Sequence, residues 1–420
     1  MPLTGGETWQ KWRFPPMTNQ GRLQSLCALV LALGSAHARG AEWKIDPNIL
    51  LRSGYNDNIT LRTNDELSAW ETVFTPSATF SRTTATAGIS GNIRFDFRRY
   101  LGEEGLDDNN KRLFVDAFRR MERARMGLNL ALVKDTTLDS QLDETGIVFA
   151  RVRRFTQRLN PNWRYNIGPR TRIQLDYTYS NVDYANTDTS AFTDYSSHNG
   201  QALFTQALNE RAIASLTLGR TLTSNERDVD TTYSYGQAGL SYRFSETLSA
   251  SLSAGLRRTD TEFSTNTLVP TFPGGPVIVV PQDVQNSSTG AIFNGSLTRQ
   301  FERGDTSLTA TRNVTNTISG FLIEVTRLRW SSSYRFSDTL SAGLSVELYS
   351  SKGDDELARS FDRKYVDIRP RFGWNFRKFW SISGSYRYRK QSFDDTSDEA
   401  IQNAAYLTLT YRWPRIAVSR

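Results

Sequence analysis

The sequence offers few groups for covalent or metal chemistry. It contains two histidines and one cysteine among 420 residues. A catalytic nucleophile needs a base within hydrogen-bonding distance and a third group that orients the base. His198 follows Asp194, Ser196 and Ser197 in the chain, but side chains of adjacent residues on one strand or loop do not by themselves form such a catalytic group. The chain has no Gly-rich phosphate loop, cysteine cluster or histidine-based metal motif. We predict no catalytic residue, no metal site and no cofactor, and a protein that is not an enzyme.

Arginine is the residue type with the clearest chemical pattern, near the C-terminus. Guanidinium groups pair bidentately with carboxylate or phosphate. If the chain near the C-terminus forms strands whose apolar residues point to one side, eight arginines point to the opposite side. Few acids point to the same side as these arginines, and Glu347 and Asp367 are the clearest. We predict that the set binds anionic solutes; two alternatives are pairing with loop acids and contact with lipopolysaccharide phosphate. The set is Arg327, Arg329, Arg335, Arg369, Arg371, Arg387, Arg389 and Arg412.

The elements that carry these arginines are predicted to be β-strands. Apolar residues recur at every second position over 248–256, 340–348 and 173–179, with Ser, Gly, Thr or charged residues between them. A period of two places one face of each strand in an apolar medium and the other in a polar one. A soluble sandwich and an outer-membrane barrel both satisfy this pattern.

Composition narrows the protein classes. The chain is 38% hydrophobic and 12% aromatic, which excludes disorder. Its mean hydropathy of -0.50 and its lack of an apolar run near ~18 residues exclude a helical membrane protein. The formal net charge of +7 is too small to indicate a nucleic-acid partner.

The N-terminus predicts export. Lys11, Arg13 and Arg22 precede an apolar stretch at 23–33, and Ala36-His37-Ala38 follows it. These are the three parts of a cleaved secretory signal peptide. We predict a leader at 1–38, with Met17 as an alternative start, and one β domain at 39–420. Cleavage would remove Cys27, so the mature chain could form no disulfide.

Connection lengths favour the barrel over the sandwich. Short links at 168–170, 245–247, 302–305 and 337–339 alternate with longer polar links such as 183–197, 350–362 and 391–402. Short periplasmic turns and longer outer loops are typical of outer-membrane barrels. Aromatic residues beside the short turns and the C-terminus predict an interfacial girdle: Trp163, Tyr165, Tyr242, Phe244, Tyr334, Phe336, Trp374, Phe376, Trp380 and Trp413.

Counting strands predicts an all-β, antiparallel up-and-down transmembrane barrel of about 18 strands, with 16 as the alternative. The weakest strand is the fourth, at 110–119. The predicted starts are Trp43, Ala69, Thr84, Asn110, Arg123, Ile147, Thr171, His198, Arg211, Tyr233, Leu248, Thr289, Thr306, Phe321, Leu340, Arg363, Trp380 and Asn403.

Several segments resemble a family of β-barrel porins of Gram-negative outer membranes. The similar segments are Pro47, Gly54-Tyr55-Asn56-Asp57-Asn58-Ile59, Phe74-Thr75-Pro76, Leu159-Asn160-Pro161-Asn162-Trp163-Arg164-Tyr165, Thr171-Arg172-Ile173-Gln174-Leu175 and Val182-Asp183-Tyr184. Members of that family often occur beside exopolysaccharide or capsule machinery. The resemblance implies a role in polymer export or a related outer-membrane function, and it implies no catalytic residues.

Three features of the outer loops have competing explanations. Acids gather at 103–108, 354–356 and 394–399; they either form solvated loops or bind divalent cations that bridge to lipopolysaccharide. The cluster Asn56-Asp57-Asn58 is either a cation site or an Asx-rich turn, and the turn is favoured. The apolar link at 259–288 is predicted to constrict the lumen or to dock on a partner; the alternative is an outward extension of its two strands.

The sequence therefore predicts a porin-like or polysaccharide-export pore in the Gram-negative outer membrane. A non-conducting structural or assembly barrel is the alternative, and a barrel enzyme built around His198 is less favoured. The expected partners are outer-membrane lipid, lipopolysaccharide and the barrel-insertion machinery, which reads an amphipathic last strand ending on an aromatic residue. We also expect two further kinds of partner: anionic polysaccharide or small anions, and periplasmic export components.

Overall fold

A computed structural model describes residues 42–138, 151–185, 192–270, 277–316, 322–353, 362–393 and 398–418. The predicted leader at 1–38, with Cys27, lies outside these residues. Gly40–Arg420 forms one compact unit. No helix in the described part of the chain is long and apolar enough to cross a membrane.

One closed antiparallel sheet accounts for the fold. Each of the first 17 strands pairs with the next, and β18 pairs with β1 to close the barrel. The prediction of an 18-strand up-and-down barrel is confirmed. The strands are β1 (Trp43–Asn56), β2 (Ala69–Thr83), β3 (Ala87–Leu101), β4 (Asp108–Arg120), β5 (Ala124–Thr136), β6 (Arg153–Asn166), β7 (Thr171–Tyr184), β8 (Tyr195–Ala207), β9 (Ala212–Asn225), β10 (Asp230–Arg243), β11 (Leu248–Pro270), β12 (Val277–Phe301), β13 (Gly304–Asn316), β14 (Leu322–Arg335), β15 (Leu340–Gly353), β16 (Arg363–Arg377), β17 (Trp380–Phe393), β18 (Glu399–Arg412) and β19 (Ile416–Val418).

The two faces of the sheet have opposite chemistry because the strands alternate. Leu218, Leu252 and Leu256 share one face, and their side chains are 55%, 61% and 73% exposed. Exposed leucines around a whole barrel would be an association liability in water. The other face carries arginine, asparagine, glutamate and glutamine. The apolar face therefore meets lipid and the polar face lines the lumen, as in an outer-membrane barrel.

The aromatic girdle is present beside the short turns. Tyr242 packs on Phe244 with ring centroids 4.9 Å apart, and Tyr334 packs on Phe336 at 5.1 Å. At the seam, Tyr411 lies 4.6 Å from Trp380 and 4.5 Å from Trp413. The members of these pairs that lie on strands point to the lipid-facing side; they are Tyr242, Tyr334, Trp380 and Tyr411. The short turns, such as residues 84–86 and 302–303, thus mark the periplasmic rim.

Of the predicted strand starts, Ile147 and Phe321 lie outside the described residues, and the others lie within four residues of the observed starts except that of β12. The fourth strand, which was the weakest, is present as β4 and pairs with both neighbours. The largest departure is β12, which begins at Val277 and not at Thr289. β11 and β12 stay paired out to Pro270 and Val277. The link is therefore an extension of two paired strands, as the alternative held, and the apolar run at 277–280 forms its backbone pairs within this hairpin. Constriction of the lumen and docking on a partner stay predictions.

The C-terminal tail lengthens the closing seam. After Trp413 the chain continues as β19, and Val418 lies opposite Trp43 on β1. The Trp413 N–H donates to the Pro47 carbonyl at 3.0 Å. Arg415 pairs with Asp46 at 2.8 Å. The residues after the terminal aromatic thus add pairing at the periplasmic end of the first strand.

Outer loops pack against the inner side of the mouth. Ile59, from the link between β1 and β2, clusters with Tyr100 and Leu138. Phe192, from the link between β7 and β8, clusters with Val182 and Tyr184. Tyr100, Val182 and Tyr184 have lumen-facing parity. These loops therefore turn inward at the outer rim.

Candidate functional site: the arginine wall

The eight predicted arginines lie on one face of β14, β16, β17 and β18, and β15 contributes Glu347 to the same face. Cross-strand register places Arg329 opposite Glu347, Glu347 opposite Asp367, and Asp367 opposite Arg389. Residues directly opposite each other project from the same side of a sheet. We call the eight arginines the arginine wall, and its side of the sheet is the lumen side.

Glu347 gathers two arginines of the wall. Arg329 Nε donates to Glu347 Oε2 at 2.8 Å, and Arg327 Nε lies 3.1 Å from Oε1. The Tyr365 hydroxyl donates to the same Oε1 at 2.6 Å. The Glu347 side chain is 8% exposed. A buried carboxylate with three donors is held as an anion by its partners.

Asp367 gathers three further arginines. Arg387 Nε and Arg389 Nε donate to Asp367 Oδ2 at 2.9 and 2.8 Å, and the Arg369 guanidinium donates to the same oxygen at 2.9 Å. The side chains of Asp367 and Arg389 are each 1% exposed. In the part of the chain that the structure describes, two strand acids therefore bind five arginines of the wall.

One buried arginine in this region was missed by the sequence prediction. Arg363 is fully buried and donates to Gln391 Oε1 at 2.7 Å. Its guanidinium lies over the rings of Tyr349 and Tyr365, which stack in parallel at 4.6 Å. Arg363 shares the parity of Asp367 on β16, so extending the alternation to the start of that strand would have included it. This cluster stiffens the outer part of the wall.

Three arginines of the wall keep their charge available. Within the described residues, the guanidinium groups of Arg335, Arg371 and Arg412 form no ion pair, and all three residues are exposed. Among the described residues, the wall thus has eight arginines against two carboxylates on the same face of these strands, Glu347 and Asp367. This excess of positive charge makes the local electrostatic potential more positive.

His198 does not form a catalytic constellation with the described residues. It lies on the lipid-facing side of β8, where Nδ1 is 2.6 Å from the Tyr177 hydroxyl and the ring packs on Tyr179 at 5.1 Å. Asp194 instead accepts the Tyr184 N–H at 2.7 Å. Burial, with Glu226 and Asp183 nearby, raises the pKa of the Asp194 carboxyl above its usual value. The partner of His198 is a tyrosine, so this site lacks the serine and acid that the enzyme alternative requires.

The cluster at Asn56, Asp57 and Asn58 is bonded to the chain itself. Asn56 Oδ1 accepts the Asn58 N–H at 3.1 Å, as in an Asx turn. Asp57 Oδ2 accepts from Asn403 at 2.8 Å, and Gln402 donates to the Asn58 carbonyl at 2.6 Å. These contacts tie the first outer loop to the last strand. They support the turn over the cation site.

Comparisons with known proteins add no argument about function. No protein-family profile and no curated protein matches the sequence. Among solved structures, the ferric-catecholate import receptor Fiu of E. coli K12 has a TM-score of 0.48 and 9% identity, covering 88% of this chain and 81% of that one. OpdK of Pseudomonas aeruginosa, solved with vanillate, has a TM-score of 0.42 and 12% identity, covering 89% and 99%. OccAB3 of Acinetobacter baumannii has a TM-score of 0.44 and 11% identity, covering 89% and 99%. These TM-scores and identities are too low to support a conclusion about this chain. Its own closed sheet, apolar exterior and aromatic girdle are those of an outer-membrane β-barrel.

Proposed function

We propose that the barrel is a pore for anionic solutes. The observation that carries the proposal is the arginine wall, where eight arginines face two carboxylates on the lumen side. In a hydrated lumen the unpaired guanidinium groups attract anions and pair with carboxylate or phosphate as they pass. Glu347 and Asp367 fix the paired arginines in place, so the positive surface is rigid.

The solute class we propose is an anionic glycan or a small organic anion. The resemblance to porins found beside exopolysaccharide machinery supports the glycan, and it implies periplasmic export components as partners. The amphipathic β18, which leads to Trp413, supports the barrel-insertion machinery as an assembly partner.

Reversal potentials in planar bilayers test the pore. Under a KCl gradient, the purified barrel should show a reversal potential of the sign set by chloride, because the wall concentrates anions. Cation selectivity would contradict the proposed solute class.

A non-conducting structural or assembly barrel is the second candidate. It is favoured by the loops that pack Ile59, Leu138 and Phe192 against the inner side of the mouth. Absence of single-channel conductance from correctly folded barrel would select this candidate over the pore.

For the lipid partner, we propose that lipopolysaccharide occupies a groove on the lipid-facing side of β7–β12. The groove has a volume of about 1220 Å³ and is lined by Gly200, Ala202, Gly236 and Ala291 among other residues. Its small side chains leave room for acyl chains. Arg220 and Arg258 line it at the end nearer the outer rim, where lipid phosphates lie. Guanidinium groups there suit phosphate oxygens.

Replacing both Arg220 and Arg258 by glutamine should reduce the lipopolysaccharide that remains bound to the purified barrel, by roughly tenfold for two lost phosphate contacts. Native mass spectrometry counts the bound lipid. Arg299→Gln is the matched control, because Arg299 faces lipid near the periplasmic rim and contacts Phe301 at 5.1 Å. Equal retention by the double variant and the control would show that the groove does not hold the phosphates.

A further inference from the structure

A pocket opens into the lumen on β2 to β6. It has a volume of about 540 Å³, within the ~300–1,000 Å³ typical of ligand pockets. Because β18 pairs with β1 and β1 pairs with β2, only β1 separates the nearest strand of the pocket from the arginine wall. Its lumen-facing lining includes Phe114, Asp116, Asn129, Ala131, Arg158 and Asn160.

Phe114 is an uncovered aromatic ring on a polar surface. It has lumen-facing parity on β4 and is 45% exposed. Phe118, on the same face of the same strand, is instead covered by the guanidinium groups of Arg120 and Arg125 at 5.0 and 4.6 Å. Within the described residues, no ring or cation lies on Phe114. A bare aromatic face beside water suits the C–H face of a sugar ring.

Two opposite charges flank this ring. Asp116 and Arg158 form no ion pair or hydrogen bond through their side chains among the described residues, and Arg158 is exposed. Register places Phe114 opposite Ala131, and Ala131 opposite Arg158. Phe114 and Arg158 are therefore two strand spacings apart, about 10 Å between their Cα atoms. One sugar unit and an arginine side chain can span this distance. The small Ala131 leaves the space between them open.

Asparagine amides complete the polar lining. Asn129 Nδ2 donates to Asn160 Oδ1 at 2.9 Å, and Asn160 Nδ2 donates to the Tyr177 carbonyl and to Thr178 Oγ1, each at 2.9 Å. These bonds fix both amides and leave the Asn129 carbonyl oxygen to accept from a hydroxyl. Fixed amides and a free carboxylate bind hydroxyl groups in defined directions.

We propose that this pocket binds one uronic-acid unit of an acidic saccharide. Phe114 lies under the sugar ring, Arg158 pairs with the carboxylate, and Asp116 and Asn129 accept hydroxyl protons. The inference rests on the proposed function and names the solute of the same lumen.

Current block by oligogalacturonate tests the pocket. Trigalacturonate added to a single conducting barrel should interrupt the current, and maltotriose should bind at least tenfold more weakly, because it lacks the carboxylates that pair with Arg158. Phe114→Leu should weaken trigalacturonate binding at least tenfold. Arg158→Gln should remove the preference for the acidic over the neutral trisaccharide.

The control variant is Phe118→Leu, whose ring is already covered, and it should leave the block unchanged. If the barrel conducts and trigalacturonate does not block it, or blocks the Phe114 and Arg158 variants as well as the unmodified barrel, the pocket proposal is overturned and the pore stands. If the barrel does not conduct, the pore fails. Calorimetric titration of the detergent-solubilised barrel with trigalacturonate then decides the pocket by itself, through the same variants.

Discussion

Asp367→Asn should lower the free energy of unfolding of the barrel by about 3 kcal/mol, because it removes one partner of a buried ion cluster. Asp367 binds Arg369, Arg387 and Arg389, and Arg389 is as buried as Asp367 itself. Asparagine keeps the side-chain volume but leaves three guanidinium groups without their counter-charge. Urea titration of the barrel in detergent micelles, followed by tryptophan fluorescence, measures the change.

Asp46→Asn is the control for this experiment. Asp46 pairs with Arg415 at 2.8 Å at the periplasmic end of β1, and their side chains are 40% and 58% exposed. Water screens an exposed pair there, so this variant should unfold at nearly the same urea concentration as the unmodified barrel. Equal stability of the Asp367 and Asp46 variants would show that the Asp367 cluster does not stabilise the wall.

Replacing Arg335, Arg371 and Arg412 together by glutamine should lower the anion-to-cation permeability ratio roughly threefold, since these unpaired charges set much of the lumen potential. The three residues hold no ion pair within the described chain, so stability should change little. Reversal potentials under a KCl gradient give the ratio, and urea titration checks the fold.

The matched control removes three lipid-facing arginines, Arg220, Arg258 and Arg299. It changes the net charge by the same amount but leaves the lumen side intact. Selectivity should therefore persist in the control. An unchanged ratio in the lumen variant, or an equal loss in both variants, would mean that the arginine wall does not select the ion.

The sequence predicted the barrel because alternation is a local property. Each strand shows which of its residues are apolar, and period two then assigns both faces without any knowledge of the neighbours. β4 was identified this way although it was the weakest strand. The same rule failed at 259–288, because an apolar run without clear alternation is compatible with a loop and with a long hairpin. Only the pairing of β11 with β12 decided between them.

The partners of the arginines could not be predicted from parity. Alternation alone placed the eight arginines, with Glu347 and Asp367, on one side of the sheet. Register decides which residues stand opposite each other, and a shift of two residues would keep every face and change every pair. Turn lengths and the closure of β18 on β1 fix that register around the whole barrel. Sequence therefore determined which face is charged, and the closed tertiary structure determined that Glu347 and Asp367 bind five arginines while Arg335, Arg371 and Arg412 remain unpaired.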